Sequence, residues 1–166
     1  FDSPVIDIII VVFMILASMH FGVLYAMLVK KFLTPVRYSV TRYYLNVILV
    51  LSLFITFVLM LQGGYGSFGK ALLDSVFQVV SFISTTGFGN ADNALWPVLA
   101  NVFLLLAAFH CGCSGSTTGG VKADRMLIIF KEIGNEFRRR LHPSSIFRTK
   151  VDDHAINNDQ VSAIFL

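Results

Sequence analysis

The order of apolar and polar positions divides the chain into blocks of unequal length, and the lengths carry the first inference. From Val5 to Val29 nearly every position is apolar, with Asp7 near the start. At 1.5 Å per residue such a block can cross a hydrocarbon core of about 30 Å. Asp2-Ser3-Pro4 predicts its beginning, since Ser3 can cap a helix and Pro4 suits a first turn. Residues 1–32 therefore read as one membrane helix, closed by Lys30-Lys31, and residues 33–42 as a connector. Tyr43 to Leu61 carries no charge and predicts a second span over 43–62; Gln62-Gly63-Gly64-Tyr65-Gly66-Ser67 then breaks the pattern.

The next two blocks are too short. Ala71 to Ile83 carries Asp74, Ser75, Gln78 and Ser81, and as a helix it reaches only about 20 Å. It runs into Ser84-Thr85-Thr86-Gly87-Phe88-Gly89-Asn90, so residues 70–92 read as a half-length helix and turn that enter and leave the membrane on one side. Trp96 suits an interfacial anchor, and Val98 to Phe109 gives a helix of about 18 Å. His110 to Gly120 is too rich in Gly, Ser and Thr to continue it. A basic, amphipathic pattern resumes near Ala123 and ends near Leu141. Residues 93–141 thus read as one inner helix broken over 110–120, and 142–166 as a polar segment leading to a further span. The fold class is an all-α integral membrane protein built on an outer helix, a pore loop and a broken inner helix.

Composition agrees. The 166 residues are 55% hydrophobic and 14% charged, against roughly 25% charged in soluble domains, and the mean hydropathy is +0.73. A net charge of +3 would suggest nucleic acid in a soluble protein. Here the basic residues are sorted by side. Lys30, Lys31, Arg37 and Arg42 lie between the first two spans; Lys122, Arg125, Lys131, Arg138, Arg139, Arg140, Arg148 and Lys150 follow the break; only Lys70 lies opposite. Positive charge marks the cytoplasmic side, so the half-length helix enters from outside. Phe1 in place of an initiator Met, without a basic leader, predicts an internal piece of a longer protein. Cys111 and Cys113 are too close in sequence to favour a disulfide and too few for a zinc site, and read as reduced, buried thiols.

Non-helical backbone at membrane depth persists only where protein or a water-filled cavity satisfies its polar groups. The carbonyls of Thr85, Thr86, Gly87 and Phe88 can replace the hydration shell of a potassium ion. Gly87 allows the backbone angle such an orientation can require, and the C-terminal end of the preceding helix favours a cation. Asp92 lies just beyond and raises the local cation concentration. By itself Thr-Thr-Gly-Phe also fits an ordinary external turn; its place after a half-length helix favours a filter.

Phe77-Gln-Val-Val-Ser-Phe-Ile-Ser-Thr-Thr-Gly-Phe88 closely resembles the pore helix and filter of the Trk/Ktr potassium transporter family. Cys113-Ser-Gly-Ser-Thr-Thr-Gly-Gly-Val-Lys122 resembles the Gly-rich break in the inner helix of that family's third repeat. Phe13-Met14, Leu95-Trp96-Pro97 and the basic exit Arg138 to Pro143 are similar as well. The resemblance implies four repeats around one pore and potassium as the transported ion, with no cofactor in this chain. It also implies a homodimer in the lipid of the bacterial inner membrane and a cytosolic, nucleotide-binding regulatory subunit. The break would act as a gate formed by Gly112, Cys113, Ser114, Gly115, Ser116, Thr117, Thr118, Gly119, Gly120 and Lys122. Glycines there lower the cost of refolding, and the hydroxyls serve freed backbone groups. Lys122 would repel a cation or bind a neighbouring carbonyl. A fixed small-residue packing face at Gly115 and Gly119 is the alternative. His110 and Cys111 depart from the family's usual apolar residue and Gly.

Other readings remain. His20 reads as a neutral histidine bonded to a neighbouring helix or as a functional intramembrane group. His110 reads as a hydrogen-bonded buried histidine or a pH-responsive group, and Arg138 to Arg140 as a membrane anchor or a docking surface for the regulator. Gly112-Cys113-Ser114-Gly115 fits the nucleophile motif of rhomboid-type intramembrane proteases, but His142 and His154, which follow it, lie in polar sequence. A secondary transporter of a small solute also uses broken helices. Nucleotide binding through a phosphate loop fails, because Val121 stands where the lysine is needed.

Overall fold

In a computed structural model, residues 3–29, 38–141, 150–151 and 154–155 are described. Pro4–Ser18 forms α1 and Phe21–Val29 forms α2. Ser39–Gln62 forms α3 and Phe68–Ile83 forms α4. A short 3₁₀ turn at Asn93–Leu95 precedes α5, Val98–Phe109, and α6, Ala123–Leu141. Lys150–Val151 (β1) and His154–Ala155 (β2) pair antiparallel. The connector around Lys30, Lys31 and Arg37, and most of the 142–166 segment, lie outside the described residues.

Among the described residues α3 alone is a continuous helix long and apolar enough to cross a membrane. Left-handed Gly63, with φ 73°, closes it by donating its N–H to the Met60 carbonyl. The first apolar block is not the single straight helix that hydropathy predicts. It bends by 108° between α1 and α2, where Met19 turns extended and Ser18 directs its hydroxyl back to the Met14 carbonyl at 2.7 Å. The bend persists because the backbone groups it frees find partners elsewhere in the chain, as described below.

The half-length helix α4 is the centre of the packing. It lies against α1, α3 and α5 and buries Ala71, Phe77, Val79, Val80 and Ile83 completely. Its polar side chains are bonded inward: Ser75 donates to the Ala71 carbonyl at 2.7 Å. Tyr44 and Ile55 of α3 complete this core, and the Tyr44 hydroxyl is bonded to Ser18 at the bend. Elsewhere the apolar surface points outward. Ile8, Ile9 and Phe13 on α1, Leu53 and Phe57 on α3, and Leu105 and Phe109 on α5 are exposed, an arrangement expected of helices that face lipid or further helices rather than water. On α6 the weak surface pair Glu136–Arg140, 3.8 Å apart, adds little stability.

Candidate functional site

The turn after α4 is held from behind and open in front. Ser84 and Thr85 donate their N–H groups to the Val80 and Phe82 carbonyls at 2.8 and 3.1 Å, and Thr86 to the Ser81 carbonyl at 3.1 Å. Thr85, with φ 54°, and Gly87, with φ 75°, both adopt the left-handed conformation, which costs a non-glycine residue about 1–3 kcal/mol. Thr86 shares its hydroxyl with Ser84 at 2.8 Å. Buried Gln78 clamps the return limb: its amide donates to the Ala91 carbonyl at 3.1 Å and accepts from Asn93 at 3.3 Å. Thr85 to Gly89 are exposed, beside a cavity of about 370 Å³ lined by Gln78, Ser81, Thr85, Gly87 and Phe88 among others.

The four expected carbonyls are not equivalent. The Phe88 carbonyl accepts the Ser81 hydroxyl at 2.6 Å, so this oxygen is drawn toward α4 while the Phe88 ring, half-exposed, faces out. No described group donates to the carbonyls of Thr85, Thr86 or Gly87. Gln78 and Ser81 act behind the turn, and the signal that points to them is polar side chains on an otherwise apolar block; Asn93, on the polar return limb, carries no such signal.

The break between α5 and α6 is an ordered loop. His110 and Val121 form a parallel bridge, with the Cys111 N–H on the Val121 carbonyl at 3.1 Å and the Ala123 N–H on the Gly112 carbonyl at 3.0 Å. Asp124 at the start of α6 accepts the Ser114 N–H at 3.0 Å. Ser116 donates to the Cys113 carbonyl at 2.6 Å. Lys122 bonds the Thr118 carbonyl. His110 bonds the Tyr43 hydroxyl at 3.0 Å. Both cysteines are free and buried.

This loop occupies the bend of the first block. The Cys113 N–H donates to the Ser18 carbonyl at 2.9 Å, the Phe21 N–H to the Gly115 carbonyl at 3.3 Å, and the Thr117 hydroxyl to the Ala17 carbonyl at 3.3 Å. Each break supplies what the other lacks, which is how irregular backbone survives away from water. His20 is exposed, and it bonds not a neighbouring helix but the Gly22 N–H two residues on, at 2.9 Å, capping α2. Its ring closes over Gly115, where an added Cβ would stand 3.1 Å from Nε2. The loop also reaches the turn after α4: the Gly119 N–H donates to the Thr85 hydroxyl at 3.3 Å.

Gly120, at φ 77°, has no room for a side chain; a Cβ would lie 2.5 Å from the Cys111 sulfur. Gly120→Ala is expected to destabilise the protein by about 1–3 kcal/mol, and Cys111→Gly to restore part of that loss by removing the clash. Thermal unfolding of the two single variants and the double variant measures the coupling.

Apolar outward faces, a half-length helix ending in a bonded turn and two interlocked breaks define an all-α integral membrane protein. The whole chain, residues 1–166, matches the TrkH family, described as cation transport protein. The Trk system potassium uptake protein TrkH of Salmonella typhimurium is 34% identical over 166 residues, 99% of this chain and 34% of that protein. The Trk system potassium uptake protein TrkG of Escherichia coli K12 is 28% identical over 166 residues, again 99% and 34%. The crystal structure of the potassium transporter TrkH from Vibrio parahaemolyticus superimposes with a TM-score of 0.93 at 30% identity, covering 99% of this chain and 36% of that one. The chain belongs to the TrkH family of cation transport proteins and spans about a third of the length of these relatives. The family is one of transporters, so the protease reading of Ser114 is set aside.

Proposed function

We propose that this chain supplies one repeat of a potassium uptake pore, with the inner helix of the repeat before it. In this reading α3 is the outer helix, α4 the pore helix, Thr85 to Phe88 the filter limb, and α5 with α6 the inner helix broken by a gate at residues 112–122. The observation that carries it is the set of carbonyls at Thr85, Thr86 and Gly87 that no described group pairs, in an open turn held from behind by α4 and Gln78. Carbonyl oxygens left free in this way can replace the hydration shell of an ion. Phe88 contributes through its position at the end of the limb, with its carbonyl shared with Ser81. The contact of Gly119 with Thr85 joins gate to filter. We place the full-length protein as a multi-pass homodimer in the bacterial inner membrane, with a cytosolic nucleotide-binding regulator; the words "Trk system" in the relatives' names support a multi-component assembly.

Expression of the full-length protein in a bacterium deficient in potassium uptake tests the reading. Growth at limiting potassium and rubidium influx into proteoliposomes are the expected results. Failure of both, with influx of an organic solute instead, would favour a secondary transporter.

A further inference from the structure

At the end of the molecule where α1 and α4 begin and α3 finishes, the 3₁₀ turn closes one side of a cleft of about 990 Å³. Asp7, Asp74, Tyr65, Lys70, Asn90 and Asp92 are among the residues that line it. Asp7 is only 5% exposed, and its Oδ1 has no hydrogen-bond partner. Asp74, also buried, is well served: Asn90 donates to its Oδ1 at 2.9 Å, the Tyr65 hydroxyl bonds it, and Lys70 attracts it. Asp7 acts on Asp74 across the packing of α1 on α4, as like charges repelling. A buried carboxylate oxygen left without a hydrogen bond is costly, and a second carboxylate beside it adds to the cost.

We propose that Asp7 and Asp74 form a binding site for a hydrated divalent cation, separate from the turn at Thr85 to Phe88. Three considerations select this ligand class. Asp7, Asp74 and Asp92 against Lys70 leave a formal charge of minus two around the cleft, which one divalent ion balances. Asp7, Asp74, Asp92 and Asn90 in the lining offer hard oxygen, the donor that magnesium and calcium take. Among the described residues no three His, Cys, Asp or Glu side chains converge, so water must complete the coordination shell, and the cleft has room for it. Two carboxylates with several retained waters is the manner in which magnesium commonly binds. Asn90, on the limb that returns from the turn, is bonded to Asp74, so an ion in the cleft braces that limb without entering the pore.

The test uses the full-length protein in lipid nanodiscs and terbium as the probe. Trp96 lines the same cleft and Tyr65 is bonded to Asp74, so both lie where they sensitise terbium luminescence. The expected result is a saturable signal displaced by magnesium or calcium. Asp7→Asn, which keeps the shape and removes the charge, should weaken terbium binding by at least about tenfold. Magnesium should raise the unfolding temperature of the wild type but not of the variant. If Asp7→Asn does not fold, Asp74→Asn provides the same comparison. A terbium signal untouched by either variant would overturn the proposal. So would a wild type whose unfolding ignores magnesium, and so would a protonated-carboxyl infrared band lost in Asp7→Asn without metal binding, which assigns the missing charge to a shared proton.

Discussion

Gly87→Ala in the full-length protein is expected to lower the preference for potassium over sodium by about tenfold, the effect of about 1.4 kcal/mol. The reasoning separates space from backbone conformation. A Cβ at Gly87 meets nothing within 4 Å, so no clash drives the effect. The cost lies in φ 75°, where alanine is disfavoured by roughly 1–3 kcal/mol. Thr85 in the same turn already bears such a conformation, and a second strained residue makes relaxation of the limb the cheaper outcome. Carbonyls that turn away no longer replace the hydration shell of one ion better than that of another. Gly89→Ala is the control. A Cβ there stands 3.7 Å from the Gln78 amide nitrogen, an ordinary contact, and its φ is not left-handed, so its selectivity should stay near that of the wild type. Paired rubidium and sodium influx into proteoliposomes reads both variants; equal behaviour of the two would remove Gly87 from the proposed filter.

Gly112→Ala should produce the largest loss of stability in the loop. A Cβ at this position would lie 2.6 Å from the Ser18 carbonyl oxygen and 2.9 Å from the Ser18 Cβ. Backbone cannot move aside as a flexible side chain can. The same carbonyl accepts the Cys113 N–H, so separating the two segments also breaks the bond that joins them. Overpacking of this kind costs typically about 1–3 kcal/mol, and the lost buried hydrogen bond adds about 1 kcal/mol. Gly119→Ala has open space around it and should change stability by less than about 0.5 kcal/mol. Thermal unfolding in detergent compares them. A Gly112→Ala protein as stable as Gly119→Ala would show that the loop and the bend do not press on each other.

Much of the architecture is legible because block length and polarity are strong signals at membrane depth. Ala71 to Ile83 is too short and too polar to span, and that fact alone separates α4 from α3. The break after Phe109 is legible from its glycines and hydroxyls. The bend at Met19 is not. Ala17-Ser18-Met19-His20 contains no Gly, no Pro and no turn cluster, and its conformation is set by residues 113–117, far along the chain. Only His20, an ionisable residue amid apolar ones, marks the place, and its role as the cap of α2 depends on a bend that periodicity cannot reveal. The orientation of the Phe88 carbonyl is hidden for a similar reason. It is decided by Ser81, one turn of helix before Thr85, whose hydroxyl reads in sequence as one more small polar residue.

The mutual bonding of the two bends has a consequence for the history of the sequence. A residue change at Ala17 to His20 alters the lodging of residues 112–117, and the reverse also holds, so neither stretch is free to drift by itself. Lineages of this family should change the two stretches in matched pairs. A chimaera that takes one stretch from a distant relative and keeps the other should assemble poorly until the second is exchanged as well.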